Sequence, residues 1–240
     1  MTATAKEKRE VTLPEGVSLR RVAQVLLDAW EAAPRRWMNA PSQLREGPQP
    51  SAMPAPQDAL DLFRLLAERR VDYLLVGGMA MLTYVKGRNT KDVALLMSVA
   101  ALGRLPELAV EDRNDFFARG KFKSVQVDLL LTKNLLFKIV ADRFVTGHPF
   151  EELTVPTATV EGMILLKLFA LPSLYRQFDW ERIHVYESDV KTLLALHKPA
   201  TEPLFTLLEP HILPADLNEL KKIVSEEQQR IARAERDIQI

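Results

Sequence analysis

Cysteine is absent from the 240 residues. That removes disulfides, thiolate nucleophiles and thiolate metal sites, and it suits a reducing, cytoplasmic setting. Histidine is scarce. Only His148, His184, His197 and His211 occur, no HExxH spacing exists, and zinc hydrolase chemistry is not expected. Net charge is missing too: 32 Lys and Arg balance 32 Asp and Glu, so no global electrostatic footprint for nucleic acid exists. No apolar run reaches the roughly 18 residues that a membrane span needs. The polar start, MTATAKEKREVTLPEG, lacks the apolar segment of a signal peptide.

What is present is an apolar fraction of 47%, enough for a core in one large or two small domains. The first 57 residues read as an appendage. Ser18 can cap a helix in which Leu19, Val22, Val25, Leu26 and Trp30 recur at helical spacing. The stretch NAPSQLREGPQPSAMPAP then carries five prolines in 18 residues, the composition of a linker. Trp30 and Trp37 read as packing anchors of the appendage.

The body begins with a helix whose face is Leu60, Leu62, Phe63, Leu65 and Leu66. VDYLLVGG reads as a buried strand that ends in glycines. MAMLTYVKG reads as a short helix, KDVALLMS as a second strand, SVAALGRLPEL as a helix with a loop, and FKSVQVDLLLT as a third strand. Lys121 and Lys123 before it read as a solvated hairpin, or as contacts to an RNA backbone. KNLLFKIVADRF is helical in pattern. FEELTVPTATVEG holds a strand, and a strong helix starts near Thr159. Beyond about residue 157 the chain reads as all helix. The expected domains are 1–57 (appendage and linker), 58–156 (core) and 157–240 (helical). The expected fold class is α/β or α+β: a small mixed β-sheet, flanking helices and a helical C-terminal part.

Gly77 and Gly78 stand between a strand and a helix. Backbone N–H groups there can approach phosphates because no side chain intervenes, and a helix N-terminus favours anions. Asp92 opens the next strand, with 13 residues between it and Gly78. Asp128 lies in the apolar strand VQVDLLL. Carboxylates at i and i+2 of a strand share a face and can reach one metal ion. The i+2 position after Asp92, however, is Ala94.

The stretch LLVGGMAMLTYVKGRNTKDVALLM resembles the nucleotidyltransferase superfamily of the DNA polymerase β type, and within it the small AbiEii-like proteins. These include toxins of toxin–antitoxin and phage-defence systems. The resemblance covers about residues 58–197 and extends to TVEGMILLKLFALPSLYRQFDWERIHVYESDVKTLL. It implies a metal-dependent transfer of a nucleoside monophosphate from a nucleoside triphosphate to a tRNA 3′ end or a protein hydroxyl. Asp92 and Asp128, with an acidic residue at position 94, would hold two Mg²⁺ (or Mn²⁺) ions. Gly77, Gly78, Arg88 and Lys167 would hold the triphosphate, Asp189 would be the acidic counterpart of Lys167, and Arg176 a polar partner. A cognate antitoxin is implied as well. Ala94 departs from the family pattern, which has Asp there, so this chain should be impaired. Both a substitution introduced for study and natural degeneration would account for it. The alternatives are a degenerate nucleotide- or partner-binding protein and an antitoxin-type inhibitor.

Overall fold

The computed structural model describes residues 56–85, 92–150 and 152–238. The N-terminal appendage up to residue 55 and Arg88 lie outside the described residues.

The element order is α1 (Pro56–Glu68), β1 (Tyr73–Val76), α2 (Gly77–Met81), β2 (Asp92–Met97), α3 (Val99–Leu102), β3 (Ala109–Arg113), β4 (Phe117–Phe122), β5 (Val125–Leu131), α4 (Leu135–Arg143), β6 (Val145–Phe150) and β7 (Leu153–Ala158). Then come α5 (Val160–Gln177), α6 (Trp180–His197), α7 (Glu202–Leu208), a 3-10 turn (Glu209–His211) and α8 (Pro214–Ile238). The seven strands form one mixed sheet in the order β3-β4-β5-β2-β1-β7-β6. β2 and β5 run parallel at its centre, β1 and β7 pair in parallel, and the other pairs are antiparallel.

Strand β5 explains how the sheet is buried. Val125, Val127, Leu129 and Leu131 are nearly inaccessible, while Gln126, Asp128 and Leu130 between them are half-buried. This is the period-two alternation of a strand with one fully covered face. Val93, Leu95 and Met97 of β2 continue that covered face, and Phe137, Leu136 and Val140 of α4 join the same core. β2 differs along its length: Leu95, Leu96 and Met97 are all buried, but Asp92 is exposed and Ala94 half-buried. The sheet is thus covered on both faces at one end of β2 and on one face at the other.

Local signals set the helices. Asn134 caps α4 by accepting from the Leu136 and Phe137 N–H groups, Thr159 caps α5 through the Gly162 N–H, and Asp179 caps α6 through the Arg182 N–H. Helix α5 is apolar nearly all round, so it is buried on most sides. No described helix is long and apolar enough to cross a membrane.

Three strands go beyond the expected small sheet: β3, β4 and β6. β3 (AVEDR) is exposed at every position, and β6 (VTGHPF) carries Gly147 and Pro149. Both are edge strands, where propensity and apolar alternation are weakest.

Gly162 carries a testable reversal of sign. A Gly→Ala change within a helix ordinarily stabilises, by up to about 1 kcal/mol. A Cβ at Gly162 would lie 2.7 Å from the Phe144 Cβ, which is fixed to the backbone and cannot swing away. Gly162→Ala should therefore destabilise by about 1–3 kcal/mol through overpacking. Chemical denaturation checks this, and a stabilised variant would mean that α5 and Phe144 are less closely packed than described.

Candidate active site

Val76 ends β1 opposite Ala94 of β2, Ala94 lies level with Asp128 of β5, and Asp128 lies level with Arg119 of β4. Paired residues of neighbouring strands share a face, so these four form one row across the sheet. One step away, Asp92, Gln126 and Lys121 form a second row on the same face. Asp92, Arg119 and Lys121 are exposed, whereas Ala94, Gln126 and Asp128 are half-buried. The two rows place Asp92, Ala94 and Asp128 on one face of the sheet.

Gly77 closes one side of the first row. It opens α2 directly after β1, with φ of 69°. That left-handed conformation is strained for residues with a Cβ. A Cβ there would also sit 2.7 Å from the Ala94 Cβ. Gly77 thus lies against Ala94, and the turn reaches the carboxylate face of the sheet. Gly78 follows as the second residue of α2.

The segment after α2 is anchored at Tyr84. Its hydroxyl donates to the Ala158 carbonyl of β7 at 2.7 Å, and its ring is edge-on to His148 and His197, with centroids at 5.3 and 5.7 Å. Burial raises the Tyr84 hydroxyl above its ordinary pKa. His197, on α6, therefore packs structurally against this anchor.

The electrostatics of the first row centre on a residue that the sequence reading missed. Arg119 Nε donates to Asp128 Oδ1 at 2.7 Å and Nη2 to Oδ2 at 3.2 Å, a bidentate pair. The bonded Asp128 carboxylate, with Asp92 and Asp112 also contributing, raises Arg119 above its already high pKa. In the sequence Arg119 is only a basic residue in FFARGKFKS. Its distance from Asp128 across a tight hairpin turn is the signal that could have found it.

The residues present do not fit a two-ion centre. Position 94, which lies level with Asp128, carries no carboxylate, and Asp92 is level with Gln126. Both Asp128 oxygens already accept from Arg119. Among the described residues no group of three or more His, Cys, Asp or Glu side chains could hold a metal ion.

The other expected nucleotide contacts are held in the helical part. Lys167 of α5 pairs with Asp189 of α6 at 2.6 Å, with side chains only 5% and 6% exposed. The Lys167 ammonium also lies 4.4 Å from the Tyr186 ring centroid. Arg176 pairs with Asp216 of α8. Lys167 and Asp189 thus pair with each other, while Arg176 joins a different carboxylate. At the β4–β5 turn the expected hairpin is present, and Lys123 pairs with Asp61 of α1.

No protein-family model matches the sequence, and no curated protein matches it. Solved structures do show likenesses. An antigenic nucleotidyltransferase-like protein from Paracoccidioides brasiliensis is similar at 15% identity and a TM-score of 0.47, over 71% of this chain and 94% of its own. ANT(2")-Ia, in complex with adenylyl-2"-tobramycin, is similar at 13% identity and a TM-score of 0.44, over 65% and 97%. The Megavirus polyadenylate synthase is similar at 12% identity and a TM-score of 0.41, over 82% and 40%. Similarity at this level leaves the functional reading to the residues themselves.

Proposed function

We propose that this protein is of the nucleotidyltransferase type: it holds a nucleoside triphosphate at the Gly77–Gly78 turn, beside Asp92 and Asp128. Transfer of the nucleoside monophosphate to an acceptor is weakened by the missing carboxylate at position 94. The observation that carries this reading is the close approach of Gly77 to Ala94, in the same row as Asp128. It puts a backbone turn suited to phosphate next to the carboxylate face.

In the transfer, an acceptor hydroxyl oxygen bonds to the α-phosphorus. The bond to the bridging oxygen of the β-phosphate breaks, pyrophosphate leaves, and the hydroxyl proton passes to solvent. Divalent ions such as Mg²⁺ supply charge neutralisation to reactions of this kind. Asp92 and Asp128 are the carboxylates here that would hold one once position 94 is acidic. This chain's own contribution is to place the triphosphate against the sheet. The finer reading is a cytoplasmic toxin acting on a tRNA 3′ end or a protein hydroxyl and restrained by an antitoxin. It rests on the resemblance of the sequence.

A second reading is favoured by the Arg119–Asp128 pair: a protein that binds a triphosphate without turning it over. Both readings require nucleotide at the Gly77 turn. Calorimetric titration with each of the four nucleoside triphosphates should show at least one binding the unaltered chain. Gly77→Ala should weaken that binding by about tenfold or more, because the strained backbone and the contact with Ala94 shift the turn. Circular dichroism confirms that the variant is folded. Equal affinity in the two proteins would remove the turn from the binding site.

A further inference from the structure

The cation that faces these carboxylates is a side chain of the protein. Arg119 is on β4, in the first row, and grips both oxygens of Asp128. A guanidinium has five N–H donors in a planar fork, and the pair with Asp128 uses two of them. Arg119 is 47% exposed on its side chain, so the outer edge of the fork faces solvent on the open face. Lys121, two residues further along β4, stands on the same face, in the row of Asp92. Gly77 bounds the first row on its opposite side. A triphosphate lying on this face beside the glycine turn would therefore meet a guanidinium with a neighbouring ammonium.

We propose that Arg119 stands in for the divalent cation, so that a triphosphate binds at this site without metal. The inference rests on the nucleotide reading above and adds that the outer N–H donors of Arg119 meet the phosphate oxygens. Ala94 belongs to the same arrangement. A carboxylate at that position would lie level with Asp128, beside an arginine already engaged; alanine leaves Arg119 and Asp128 matched one to one.

The test uses the full chain. Calorimetry compares binding of the preferred nucleoside triphosphate in excess EDTA and in Mg²⁺. Electron paramagnetic resonance of Mn²⁺, with no nucleotide, gives an independent readout. The unaltered protein should bind triphosphate with affinities within about threefold in EDTA and in Mg²⁺, and should leave Mn²⁺ free in solution. Arg119→Gln should lose at least tenfold in EDTA, and Arg119→Lys should keep part of the affinity through its charge. Both stay folded, because a half-exposed ion pair contributes only about 0.2–1 kcal/mol. Ala94→Asp combined with Arg119→Gln should capture Mn²⁺.

Triphosphate binding by the unaltered chain that requires Mg²⁺ would overturn the proposal. So would Mn²⁺ binding by the unaltered chain as tight as by the double variant. If none of the proteins binds any triphosphate under either condition, the nucleotide reading fails as well. The Mn²⁺ comparison then separately decides whether Arg119 keeps a divalent ion out.

Discussion

Replacing Lys167 by Met lowers the thermal unfolding midpoint by on the order of 10 °C. The expectation follows from burial. Lys167 and Asp189 join α5 to α6 at 2.6 Å, and both side chains are almost closed to water. Removing the ammonium leaves the Asp189 carboxylate inside the helical part without that counter-charge, which costs about 3–5 kcal/mol. For a body of this size each kcal/mol corresponds to roughly 2–4 °C. Asp189→Leu should cost a similar amount by removing the carboxylate that faces the buried ammonium. Combined, Lys167→Met and Asp189→Leu should recover most of the loss, because an apolar pair of similar volume is often as stable as the buried ion pair it replaces. Differential scanning calorimetry of the three variants closes a double-mutant cycle. Additive losses would show that the two charges do not depend on one another. The same variants separate structure from function. A single variant that keeps its stability but loses triphosphate affinity would return Lys167 to the nucleotide site.

The largest expected gain is in transfer by the protein carrying both Ala94→Asp and Arg119→Gln. An Asp at position 94 would share a face with Asp92, as residues two apart on a strand do, and would lie level with Asp128. With Gln in place of Arg119, three carboxylates would face one volume. Loss of groups that merely orient metal ligands typically costs 10–100-fold. Supplying a missing ligand should therefore raise Mg²⁺-dependent transfer at least about 100-fold over the unaltered chain. Ala94→Asp alone should give a smaller gain, since Arg119 still holds Asp128. The double variant should also be less stable without metal and regain about 2.7 kcal/mol at a metal concentration 100 times its Kd. Incubation with total tRNA and each labelled triphosphate reads transfer, and the base preference comes from the same gel. No label on RNA or protein from either variant, with Mn²⁺ bound, would favour the binding-only reading.

The centre of the fold was legible in the sequence because its residues are locally consistent. VDYLLVGG, KDVALLM and VQVDLLL have the apolar density of buried strands. The α5 pattern after Thr159 carries its own cap. That Asp92 and position 94 share a face followed from the two-residue period, whereas Asp128 is set beside them by the register of β5 against β2. The edges were not legible: Ala109–Arg113 and Val145–Phe150 gain strand character from pairing with a neighbour, not from their own composition. Arg119 escaped for the same reason. It becomes part of the site only when the register of β4 against β5 sets it opposite Asp128. The partner of Arg176, Asp216, lies 40 residues away on α8, and no local pattern joins them.

The order in which the chain can assemble follows from where Arg119 sits. Arg119 and Asp128 are nine residues apart across the turn joining β4 to β5. A hairpin of that kind closes in about 1–10 μs. The parallel pairing that sets Ala94 beside Asp128 spans a far longer stretch, including α3 and all of the β3–β4 pair. Closing it carries the entropy of a long loop, so it comes later. Asp128 thus meets its counter-charge while the hairpin is still solvated, before β2 docks and the carboxylate loses part of its water. The sheet's central strand pair is completed around a charge already neutralised, so a carboxylate on an inner strand places little burden on folding.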